Sequence, residues 1–85
     1  MTIFAVIGPP DNTALKSRVE AAFTRFLEFA PNQFVVSETG ITATQAGEKI
    51  GTDNVAGLFV VFPVSNYFGY HKKELWEWMK VNSSE

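Results

Sequence analysis

Residues 12–39 read NTALKSRVEAAFTRFLEFAPNQFVVSET, and the way this stretch divides between helix and strand decides the fold. Leu15, Val19, Ala22, Phe23, Phe26 and Ala30 recur at helical spacing and form one apolar stripe. Lys16, Glu20, Thr24 and Glu28 fall on the opposite face. Asp11, Asn12 and Thr13 supply side-chain oxygens of the kind that cap a helix start. Pro31 ends the periodic run, because the residue before a proline avoids the helical region. The spacing therefore predicts a helix over about 12–30. Gln33–Thr39 follows as a short strand, polar enough to suit a sheet edge.

Outward from this stretch, Thr2–Ile7 is apolar at both sets of alternating positions, with Ile3, Ala5 and Ile7 on one face and Phe4 and Val6 on the other. That pattern marks a strand covered on both sides. Gly8-Pro9-Pro10 stops it. Thr42 and Gln45 form a capping-box pair opening a helix over 42–51, with Gly51 placed to close it. Val55–Val64 (VAGLFVVFPV) is the most apolar strand and reads as buried, although Pro63 marks a strand end or an edge position. A last helix over about 71–81 carries Leu75, Trp78 and Met79 on its inner stripe.

Strand and helix alternate three times, which predicts right-handed crossovers and a parallel sheet. The expected fold is a small three-layer α/β domain, βαβαβα, with a three-stranded, mostly parallel sheet in the order 2-1-3. The alternative is a ferredoxin-like α+β fold, with a mixed sheet whose second strand runs antiparallel. No linker or repeat divides the chain, so residues 1–85 form one domain with a loose tail at 82–85.

Composition narrows the chemistry. The 85 residues include no cysteine and one histidine, which argues against disulfides, thiol catalysis and a conventional zinc site. Seven basic residues against nine acidic ones give a net charge of −2, a poor match to the phosphates of nucleic acid. The first residues lack a secretory pattern, and the longest apolar run is far short of the ~20 residues that span a bilayer. A cytoplasmic protein that avoids membranes is the expectation.

A parallel sheet would gather three loops at the carboxyl ends of its strands. They carry Asp11, Asn12, Thr13, Thr39, Ser65, Asn66, Tyr67, Tyr70 and His71. The first is a poor phosphate cradle, since Pro9 and Pro10 have no N–H and Asp11 repels anions. His71 has the chemistry of a general acid or base, yet Ser65 sits in no nucleophile elbow. It reads more simply as a histidine covering the edge of the core. Glu74 and Glu77, flanked by lysines, read as a solvated helix face. Aromatic residues crowd the end of the chain at Tyr67, Phe68, Tyr70, Trp76 and Trp78. Trp76 and Trp78 point about 200° apart around a helix, so only Trp78 is expected to face the core. Tyr70 and Trp76 are then candidate interface residues.

The expectation is a non-catalytic interaction or regulatory module that binds a protein partner or itself through the aromatic last loop and helix, with no cofactor and no metal. The alternative is a small-molecule or enzyme site at the strand ends, built on His71 and Asp11.

Overall fold

The computed structural model describes residues 2–52, 55–65, 69 and 73–83. Its elements are β1 (Thr2–Ile7), α1 (Leu15–Ala22), β2 (Phe26–Ala30), β3 (Gln33–Glu38), α2 (Ala43–Ile50), β4 (Val60–Val64) and α3 (Lys73–Ser83). The four strands form one sheet in the order β2-β3-β1-β4, and every neighbouring pair is antiparallel. This is an α+β arrangement. It overturns the three-stranded parallel sheet in the order 2-1-3, and the sheet is not mixed either. Two βαβ units interleave: β3 lies between β1 and β2, and β1 lies between β3 and β4.

The correction begins inside residues 12–39. The helix stops at Ala22, and Phe23 is already extended at φ −129° and ψ 141°. Phe26–Ala30 forms a strand, because its residues also alternate. Phe26 and Glu28 pair with Val36 and Phe34 on one face, while Leu27 and Phe29 pack against the cluster on the other. Periods of 3.6 and 2 both fit a run this rich in phenylalanine, and the hairpin with β3 decides between them. Pro31-Asn32 makes the turn, with Asn32 in the left-handed region at φ 56°. Proline followed by such a residue is the signature of a type II turn. Pro31 therefore reverses the chain where it was expected to stop a helix.

Two further expectations are reversed. Gln33–Thr39, read as an edge strand, forms β3 over Gln33–Glu38 and is interior, with Phe34, Val35, Val36 and Ser37 all buried. Val55–Val64, read as a buried strand, yields the edge strand β4 only from Val60 onward, with Val60 and Phe62 about half exposed. The first helix lacks the expected side-chain cap as well: Ala14 occupies that position, and Asn12 Oδ1 accepts the Ala14 N–H instead.

Helices cover both faces of the sheet. On one face Phe4, Val6, Phe34 and Val36 meet Leu15, Val19 and Phe23 from α1 and its end, and Ala46 and Ile50 from α2. Burying each of these large side chains contributes about 1.5–3 kcal/mol, so this layer dominates stability. On the other face Ile3 and Val35 meet Leu75 and Met79 of α3, with Leu27, Phe29, Val64, Trp76 and Trp78 around them. The α2 start carries the predicted box: Thr42 Oγ1 accepts the Gln45 N–H at 3.1 Å, and Gln45 Oε1 accepts the Thr42 N–H at 2.9 Å. Among the described residues no helix is long and apolar enough to cross a membrane.

Candidate functional site

β1 and β4 run in opposite directions, so their exits lie at opposite ends of the sheet. The loop carrying Asp11 and Asn12 follows Ile7, whereas Ser65 follows Val64, the partner of Ile3. A six-residue strand separates these ends by about 20 Å. The single rim that motivated a small-molecule site does not form from these two loops. Asn66, Tyr67, Tyr70 and His71 lie outside the described residues.

Asp11 is exposed, and so is Ser65. Asn12 is committed to structure. Its Nδ2 donates to the carbonyls of Ala56 at 2.8 Å and Leu58 at 2.9 Å, while its Oδ1 receives the Ala14 N–H. Asn32, which sequence reasoning passed over, completes this knot by donating from Nδ2 to the Pro9 and Asn12 carbonyls at 2.6 and 2.7 Å. Two asparagines thereby join the β1–α1 loop to the β2–β3 turn and to the segment before β4. Both amides thus spend their N–H donors on main-chain carbonyls inside the fold. Pro31-Asn32 was the signal that could have found the turn.

Trp76 is half-buried, packed against the α3-side cluster with Trp78. Trp78, expected to face the core, is likewise only half-buried. Leu75 and Met79 are the side chains of α3 that are buried.

The surface that does stand out is β4. Along it Val60, Phe62 and Val64 share the sheet face of Ile3, Ala5 and Ile7. α3 packs over β1, β2 and β3 but leaves the Val60 end of β4 open. Val60 is 50% exposed, Phe62 55%, and Leu58 just before the strand 71%. Leu58, Phe59 and Val60 border a shallow apolar depression with Ile7, Gly8 and Pro9. A second depression lies between α2 and the strand, lined by Ala43, Thr44, Gly47, Glu48, Phe59 and Val61. Contiguous apolar surface at an unpaired strand edge is the usual mark of a protein-binding site. The sequence hid it because a uniformly apolar run reads the same whether its outer face is covered or open.

Compared with known families, curated proteins and solved structures, the chain matches no family model, no curated relative and no solved structure.

Proposed function

We propose that this chain is a non-catalytic interaction domain that engages a protein along the edge strand β4. The observation that supports this reading is the row of Val60 and Phe62 on β4 and Leu58 just before it, each at least half exposed, beside a strand edge with no partner among the described residues. Such an edge offers main-chain hydrogen bonds for affinity and alternate side chains for selectivity, the mode known as strand addition. Of the aromatic end expected to carry the contact, Trp76 and Trp78 are half-buried against the α3-side cluster, and Tyr70 lies outside the described residues.

A photoreactive phenylalanine analogue placed at Phe62 tests the proposal in the native host. It is expected to capture protein on irradiation, whereas the same analogue at exposed Glu20 on α1 is not. Equal capture at both positions, or none at Phe62, would overturn the assignment of the surface.

A further inference from the structure

We infer that β4 pairs antiparallel with β4 of a second copy of this chain, centred on Val61, and joins two four-stranded sheets edge to edge. The inference rests on the interaction-domain reading above and adds the identity of the partner.

Main-chain parity carries the argument. The Gly8 N–H donates to the Asn32 carbonyl at 2.9 Å, on the β3 side of β1. Main-chain groups of alternate residues point to opposite sides of a strand, so even residues of β1 bond to β3 and odd ones to β4. Ile3, Ala5 and Ile7 thus engage Val64, Phe62 and Val60. Val61 and Pro63 are left with their main-chain groups at an edge that no described strand pairs with. Pro63 has no N–H to lose there, which is why a proline is tolerated inside β4.

An antiparallel pair centred on Val61 uses what this edge has. Each Val61 N–H donates to the Val61 carbonyl of the other copy, and the missing Pro63 donor falls at the periphery. Val60 then lies directly opposite Phe62 of the second copy, a β-branched and aromatic pair of the kind that stabilises antiparallel strands. The arrangement is two-fold symmetric and closed, as homodimer interfaces usually are.

The two edges of the sheet are guarded differently. β2 has a register shift between Glu28 and Ala30, and Glu28 is held by Lys16 at 3.2 Å. Residues 55–65 contain no charged side chain at all. Charges, bulges and prolines are what keep natural edges from pairing, and β4 has only the proline, in a position that spares Val61. Beside Val61, the small residues Ala43, Thr44 and Gly47 on α2 leave space for side chains of an added strand. Glu48 lines the same depression, so its counterpart brings a like charge closer, and added salt should tighten the pair.

The interface is small. Five residues span ~17 Å, and two layers each ~10 Å deep give roughly 350 Å² per copy. That is under half of the ~800 Å² per partner in a standard interface. The dimer is therefore weak and appears only with rising concentration.

Sedimentation equilibrium from about 10 μM to 1 mM, the range in which so small an interface should respond, reads the association directly. The wild type is expected to pass from monomer to dimer, and Phe62→Lys to remain monomeric with an unchanged circular dichroism spectrum. Register is read separately. Because the chain has no cysteine, Val60→Cys and Phe62→Cys proteins can be mixed and oxidised. The mixed disulfide dimer should form faster than either homodimer, since directly opposed residues bring their Cβ atoms within disulfide reach.

A wild type monomeric throughout, a dimer indifferent to Phe62→Lys, or homodimers that outpace the mixed one would each overturn the inference. Capture of a different protein at Phe62 by a monomeric chain would overturn self-pairing and leave the interaction-domain reading standing. Absence of both association and capture would remove both.

Discussion

The side-chain amide of Asn32 donates to the main-chain oxygen of Asn12 at 2.7 Å, while Asn12 reaches onward to Ala56 and Leu58. One relay of two asparagines therefore binds three segments that are distant in sequence. It also fixes the hairpin turn on which the sheet order depends.

Asn32→Ala removes the donor to two carbonyls at a residue only 7% exposed, and it places alanine at φ 56°. Lost buried hydrogen bonds and the strained backbone together predict a loss of about 2–4 kcal/mol in urea denaturation. Asn32→Gly relieves the backbone part alone and should lose about 1 kcal/mol less. Equal losses in the two variants would show that the turn conformation is unstrained.

Gly51 closes α2 at φ 138°, where a Cβ would sit 2.9 Å from the Arg18 guanidinium. Arg18 Nε donates to the Ile50 carbonyl at 2.7 Å and so satisfies an orphan group of the helix end. Gly51→Ala is expected to destabilise by at least about 1 kcal/mol through backbone strain. Arg18→Ala should lose about 1–1.5 kcal/mol, the value of one such bond. In the double variant the losses should be less than additive, because removing the guanidinium makes room for the added methyl. Strict additivity would refute this coupling.

Lys16 and Glu28 form an ion pair whose lysine is largely exposed, and exposed pairs contribute little. Lys16→Ala should change stability by no more than about 0.5 kcal/mol. Glu28 also accepts the Asn32 N–H at 3.2 Å. Glu28→Ala should therefore lose more, about 1 kcal/mol, and thermal melts of the two variants will separate the roles.

α3 rests on a smaller cluster than α1 and α2, with Leu75 and Met79 as its buried side chains and Ser37 Oγ donating to the Asn82 carbonyl at 2.9 Å. Amides of α3 are expected to exchange with solvent faster than those of β1 and β3, the sign of an element that opens locally. Leu75→Ala should lose about 2–3 kcal/mol and raise exchange across the whole helix before the sheet is affected. Uniform protection throughout the chain would contradict this ordering.

Sequence alone made the elements legible where one physical signal dominated. β1 shows apolar residues at both parities between polar and proline boundaries, and α2 shows a capping box and a terminal glycine. Direction and neighbourhood were not legible. The run from Phe23 to Ala30 satisfies helical and strand periods together, and only its pairing with β3 resolves it. Missing that one strand turned a hairpin into a crossover and an antiparallel sheet into a parallel one. The nominated site suffered for the same reason, because Asp11 and Ser65 share a rim only if β1 and the last strand run the same way. Val60 and Phe62 went unnoticed because the letters of an apolar strand do not say whether a helix covers its outer face.

The position of β1 between β3 and β4 has a consequence for synthesis. As it leaves the ribosome, β1 has no sheet neighbour until Gln33 follows to meet Ile7, and its second edge is fully paired only when Val64 emerges to meet Ile3. At ~5–20 residues per second, that second wait lasts roughly 3–12 s. For this interval the β4-side edge of β1 has nothing native to pair with. The hazard in that interval is capture of the open edge by the wrong strand, and a chaperone that shields β1 would raise the yield of folded protein.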